Sequence, residues 1–323
     1  MNLSLAPGKF LVVGFQGQKP ESDFLKFIEK TQPCGCLLLG ENYVDEKQLQ
    51  LLISTLKSAA GDDLLIMADQ EPGRVQRFKA GFPVSKPPKS YSRQSNPKEF
   101  QSWCEATAQK LATAGVNVNL APIVDLWPFD NDYSVLNDRS FGDDAGKVTI
   151  FAMILIEAMR KHRVHACAKH FPGLGSARGD PHDALAVSDM KLTQFLEYHW
   201  APFRAAVVGG VSFIMTTHIF CPALDSENCA TFSGNIIGHL RYTVRHDGII
   251  ISDDLCMAGA SRPVASAAVD AIAAGHNLVV ISRDTAQQEA AARAISDRLE
   301  NDESFRKSAI ENEKLLERLK NAF

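Results

Sequence analysis

The chain has 323 residues, enough for one large core, and its 45% hydrophobic and 22% charged content is that of a globular protein rather than a disordered or fibrous one. A net charge of −4 offers no basic surface, so neither nucleic acid nor an anionic membrane is expected as a partner. Seven irregularly spaced cysteines argue against a disulfide framework, and no run reaches the ~18 apolar residues of a membrane span.

The start, Met1 to Phe15, lacks a cationic stretch before an apolar one. It reads as leading into a first strand rather than as a signal peptide, and the expected location is the cytoplasm. Candidate strands follow in order at Phe10–Gly14, Gly35–Leu39, Leu64–Ala68, Val116–Leu120, Val164–Ala168, Ser212–Met215, Gly248–Ile251 and Leu278–Ile281. Most are almost continuously apolar, as strands covered on both faces must be. Cys34 and Cys36 read as small thiols in the second strand rather than metal ligands, because no matching Cys/His pair follows at zinc spacing.

Helical patterns lie between the strands. From Asp45 to Ala59 the spacing puts Leu49, Leu52, Ile53 and Leu56 on one face, with Asp45 as N-cap. Phe195, His199 and Phe203 recur at helical spacing, as do Ile310, Leu315 and Leu319 near the end. The Pro- and Ser-rich stretch Phe82–Pro97 reads as an excursion after the third strand. Eight strands alternating with helices predict a TIM-type (β/α)8 barrel as a single domain over residues 1–323. A doubly wound open sheet is the alternative, but no Gly-x-Gly-x-x-Gly follows the first strand.

In such a barrel, chemistry gathers at the C-terminal ends of the strands. Those positions here hold Asp69-Gln70-Glu71 with Arg74 and Arg77, Asn119 leading to Asp125, Lys169-His170, Thr216-Thr217-His218, and Ser252-Asp253-Asp254. Singly, each has a plain structural reading: Asp as a helix cap, Arg74 as a rim ion pair, His218 as a satisfied buried histidine. Together they point to a site, because charges collected at one barrel mouth are costly unless paired or used.

The segment from Lys169 to His182 is the most informative. Gly173, Gly175 and Gly179 permit positive φ and a tight path. Asp180 and His182, two apart, can meet across a short turn, and a carboxylate beside an imidazole suits acid and base work.

These segments resemble, in order and over most of the chain, the bacterial β-N-acetylglucosaminidases of glycoside hydrolase family 3, the NagZ type. The resemblance is carried by Gly40–Tyr43, Ala68–Glu71, Gly73–Phe78, Asn119–Leu126, Asp138–Gly142, Lys169–His182, Met215–His218 and Gly248–Met257. It implies that Asp253 is the nucleophile, with Asp254 capping the next helix or orienting the site. It further implies that His182, oriented by Asp180, is the acid/base, and that Asp69, Arg77, Arg139, Lys169 and His170 hold the hydroxyls of the terminal sugar. The implied activity is retaining, exo-acting removal of terminal β-linked N-acetylglucosamine from carbohydrate or muropeptide fragments, by a monomer needing no metal or organic cofactor.

Three positions depart from the family pattern: Leu174 where His is usual, Pro72 where Gly is usual, and Pro181 where Ser is common. Proline at 181 removes a backbone donor and fixes φ. Two further readings stay open on the residues. One is a phosphorylase, since an imidazole acid/base does not repel phosphate. The other is a non-catalytic sugar-binding relative.

Overall fold

The computed structural model describes residues 6–95, 97–127, 136–320 and 322. The segment Met1–Leu5, read above as leading into the first strand, lies outside them, as does Asn96. Eight parallel strands close into a barrel: β1 (Leu11–Val13), β2 (Gly35–Leu38), β3 (Leu65–Ala68), β4 (Val118–Asn119), β5 (His165–Phe171), β6 (Phe213–Thr216), β7 (Ile249–Asp254) and β8 (Leu278–Ile281). β1 closes it by pairing with β8, Leu11 opposite Val279 and Val13 opposite Ile281. The open-sheet alternative is thereby ruled out.

Each predicted strand overlaps an observed one, and the reason is visible in the packing. Alternate residues go to two separate cores. Val12, Leu65, Met67, Ile249, Ile251, Leu278 and Val280 fill one cluster inside the barrel. Leu11, Val13, Ile66, Ala68, Ile250, Val279 and Ile281 belong to the other, between sheet and helices. Both faces are apolar, so no polar alternation survives in the sequence.

The helix Glu46–Ala60 matches its pattern: the Asp45 carboxylate accepts from the Gln48 N–H, and Leu49, Leu52, Ile53 and Leu56 are buried. Phe195, His199 and Phe203 are likewise buried. The excursion after β3 contains a short helix, Pro88–Gln94.

The last helix, Glu303–Lys320, corrects one expectation. Its buried face is Phe305, Ala309, Asn312, Leu316 and Leu319; Ile310 and Leu315 are only partly buried. The face was misread because its centre is polar: Asn312 accepts from Asn277 Nδ2 at 2.9 Å and donates to the Asn277 carbonyl at 2.9 Å. Leu316 and Leu319 join the inner cluster, so this helix stoppers the barrel at the end away from the strands' C-termini. Cys34 and Cys36 are buried thiols, and among the described residues no group of three or more His, Cys, Asp or Glu could hold a metal ion. No described helix is long and apolar enough to cross a membrane.

Three buried histidines tie stability to pH. Burial lowers His165, His246 and His276 from 6.5 to about 4. His276 is held neutral between Thr216 Oγ1 (2.8 Å) and the Ala271 carbonyl (3.0 Å). All three are neutral in both folded and unfolded chains above pH 6.5. As pH falls below that, the unfolded chain binds protons that the folded one refuses. Stability is expected to drop between about pH 6.5 and about 4, by roughly 1.4 kcal/mol per pH unit for each histidine. Urea unfolding at pH 7.0, 5.5 and 4.5 checks this, and equal stabilities at the three values would contradict it.

Candidate active site

A cavity of about 500 Å³ opens where the strands end. Strand alternation explains which side chains enter it. Leu65 and Met67 face the barrel interior, and two residues on, Asp69 lines the cavity. Ile249 and Ile251 do the same for Asp253, and Cys167 for Lys169. In these three strands the inward series turns charged where it reaches the mouth, whereas β2, β4 and β6 present Leu39, Leu120 and Met215 there. Arg77, Arg139, His170 and His182 also line the cavity.

At the base lies a buried ionic network. Lys169 Nζ reaches Asp69 Oδ1 and Glu71 Oε1, both at 2.7 Å, with its side chain 2% exposed. Arg139 grips Glu71 through Nε (2.9 Å) and Nη2 (2.8 Å), and Arg77 Nη2 donates to Asp69 Oδ2 at 3.0 Å. Burial alone would raise the Glu71 carboxyl, but Arg139 and Lys169 outweigh it and hold it at about 2. The same competition, won by Lys169 and Arg77, holds Asp69 well below the usual carboxylate range. Burial would likewise lower Lys169, and Asp69 and Glu71 raise it instead. These groups stay charged across the physiological range, with donors left over: Lys169 has three N–H groups and spends two on carboxylates.

His170 is set by Asp125, which is 1% exposed. Asp125 Oδ2 accepts from His170 Nδ1 (2.7 Å) and from its backbone N–H (3.0 Å), while Oδ1 accepts from the Leu174 N–H (2.6 Å). A carboxylate only accepts, so the His170 proton sits on Nδ1 and Nε2 is left for the cavity. Leu174, in place of the usual histidine, is buried in the wall of the cavity.

Asp180 does not line the cavity. It reaches the site through His182, whose Nδ1–H donates to Asp180 Oδ1 at 2.7 Å and whose backbone N–H donates to the same oxygen at 2.9 Å. His182 remains 58% exposed, so its Nε2 can meet a ligand. Asp253 Oδ1 accepts from the Asp254 N–H at 2.9 Å.

Two readings need correcting, the helix cap at Asp254 and the positive φ at Gly175, while the plain readings of His218 and Arg74 hold. Asp254 caps no helix: the next one, Val264–Ala274, starts after Pro263 without a side-chain cap. Asp254 instead ties β7 to β8, accepting from the Ser282 hydroxyl and N–H and from the Cys256 N–H. Gly173 and Gly179 do take positive φ, but Gly175 does not. Gly175 is needed for space, since a Cβ there would lie 1.9 Å from the Leu126 carbonyl oxygen. His218 is structural, fully buried between Thr231 Oγ1 (2.8 Å) and the Asp254 carbonyl (3.0 Å). Arg74 pairs with Asp138 at 3.0 Å on the rim. Glu71 and Asp125 stand among the strand-end residues that point to a site, but the sequence assigns neither of them a role. Period-two alternation from Asp69 carries the inward series on to Glu71, whereas the partner of Asp125, His170, is supplied only by the fold.

Comparison with known proteins places the chain in a family. The family model for the glycosyl hydrolase family 3 N terminal domain matches residues 7–315. The chain belongs to glycoside hydrolase family 3. Relatives within the family include a beta-hexosaminidase of Methylococcus capsulatus, 30% identical over 91% of this chain and 88% of that protein. Another, from Nitrosomonas eutropha, is 33% identical over 77% of this chain and 74% of its own length. Among solved family 3 structures, a beta-N-acetylglucosaminidase of Paenibacillus sp. superposes with a TM-score of 0.92 at 27% identity. That match covers all of this chain and 63% of the Paenibacillus protein. A beta-N-acetylhexosaminidase of Beutenbergia cavernae gives 0.90 at 26% identity, covering 99% of both chains.

Proposed function

We propose that this family 3 glycosidase is a retaining, exo-acting β-N-acetylglucosaminidase, with residues 1–323 as one catalytic domain. One observation carries the reading: the inward carboxylate of β7, Asp253, and the carboxylate-paired imidazole of His182 line the same cavity, which Asp69, Arg77, Arg139 and Lys169 also line. The names of the relatives support N-acetylhexosamine as the sugar.

Asp253 attacks the anomeric carbon while the proton on His182 Nε2 passes to the departing oxygen, giving a glycosyl ester. Asp180 stabilises the imidazolium before that transfer. His182 then takes a proton from the incoming water, which displaces Asp253 and restores the enzyme with net retention. The dyad replaces the second carboxylate of most retaining glycosidases. Asp69, Arg77, Arg139, Lys169 and His170 bind the ring hydroxyls through charge-assisted hydrogen bonds. The substrate we favour is the terminal N-acetylglucosamine of small peptidoglycan fragments, cleaved in the cytoplasm by a monomer in cell-wall recycling.

The test is nitrophenol release from p-nitrophenyl β-N-acetylglucosaminide and from the β-glucoside, with and without phosphate. We expect turnover of the acetylated sugar alone, at a rate that phosphate leaves unchanged and with the β-anomer as first product. A requirement for phosphate would make the protein a phosphorylase. Binding without turnover would leave the sugar-binding reading.

A further inference from the structure

The loop bearing Asp180 and His182 is fastened at its tip to the loop after β7. The Gly259 N–H donates to the Pro181 carbonyl at 2.9 Å. Pro181 is buried although His182, Asp183 and Ala184 beside it are exposed. Gly259 is buried as well, and no side chain fits there. A Cβ would lie 2.6 Å from the Pro181 carbonyl oxygen and 3.1 Å from both Pro181 Cα and His218 Cβ. Neither neighbour can step aside cheaply. Two of the three atoms are backbone, and His218 is pinned through both ring nitrogens.

The stem of the loop is held too. Arg178 and Val187 exchange backbone hydrogen bonds of 2.8 and 3.1 Å, and Ala186–Val187 pairs with Ile219–Phe220. Between stem and tip, the Asp180 carbonyl accepts from the N–H groups of Asp183 (3.0 Å) and Ala184 (3.1 Å). The imidazole therefore rides on a turn clamped twice, and the tip clamp comes from the segment just after the nucleophile. This gives the structure a direct mechanical link between Asp253 and His182, the two groups that must sit on opposite faces of one sugar ring.

We infer that Gly259 is a positioning residue for the acid/base: its N–H latches Pro181 and thereby fixes His182 at the cavity edge. The inference rests on the reading of His182 as proton donor. Proton donation matters most when the leaving group is a poor one, so a displaced His182 penalises such substrates selectively.

The experiment compares kcat/KM for phenyl and 2,4-dinitrophenyl β-N-acetylglucosaminides. Gly259→Ala is expected to lose at least about tenfold on the phenyl glycoside and less than about threefold on the dinitrophenyl one. His182→Ala is the reference. Equal losses on both substrates in that variant would sink the acid/base reading itself, whatever Gly259 does. A leaving-group split in His182→Ala with none in Gly259→Ala would overturn the latch alone. Combining the two changes should add nothing to the loss caused by His182→Ala, and additive losses would likewise overturn it. The unaltered protein gives an independent check. The Gly259 amide should exchange slowly with deuterium, and exchange at the rate of an exposed loop amide would overturn the latch without any variant.

Discussion

Asp253→Asn is expected to lower turnover of p-nitrophenyl β-N-acetylglucosaminide by at least about a thousandfold, with little change in stability. The amide is isosteric, and its oxygen can keep the hydrogen bond from the Asp254 N–H. The residue faces an open cavity rather than the core, so no packing is lost. What disappears is the anionic oxygen that forms the glycosyl ester. Asp254 also lines the cavity, but both its carboxylate oxygens are engaged, by the Ser282 hydroxyl and N–H and by the Cys256 N–H, so it is not expected to replace it. Kinetics and a thermal melt on the same preparation check this. Near-normal turnover would remove Asp253 from the nucleophile role, and a lowered melting temperature would mean that it supports the fold instead.

The second large effect is structural. Glu71→Gln is expected to cost about 3–5 kcal/mol, the usual penalty for breaking a buried ion pair by removing one partner. Glu71 is 1% exposed and serves Arg139 twice and Lys169 once. Without its charge, Asp69 is the one carboxylate among the described residues left in ion-pair contact with Lys169 and Arg77, and Arg139 loses its carboxylate partner. A glutamine offers one acceptor oxygen where two were used, and its NH2 group would oppose a cationic donor. The melting temperature should fall by roughly 5–10 °C, and KM should rise because Arg139 and Lys169 lose their anchor. Differential scanning calorimetry near pH 7 measures the first. Because Glu71 is held at about 2, the gap between the variant and the parent protein should be full above pH 4.5 and close as pH falls toward 2. An unchanged melting temperature at pH 7 would show that the network contributes nothing to stability.

Much of this protein is written locally in its sequence. The eight strands are legible because a strand buried on both faces must be apolar at every position, and a run such as Leu278–Ile281 needs no partner to show it. The charged residues that end the runs, Asp69, Lys169 and Asp253 among them, are legible for the same reason: they mark where the barrel interior gives way to the mouth. The Asp180–His182 pair spans two residues and is set by one turn. The Lys169–His182 and Ser252–Leu255 segments carry the family resemblance that led to the sugar.

What the sequence left undecided lies in contacts made only when the barrel closes. Asp125 meets His170 across 45 residues, and Glu71 meets Arg139 across 68. Asp254 turned out to bind β8 rather than cap a helix because β8 returns beside β7, a fact of topology that no window around residue 254 contains. In the last helix Leu319 is buried as read, but Ala309 and Leu316 take the places expected for Ile310 and Leu315, because the buried centre is an asparagine, satisfied by another asparagine 35 residues away. Burial of a polar group depends on a partner, and the partner is a property of the fold. Local periodicity reports which way a side chain faces; only the closed barrel decides what it meets there.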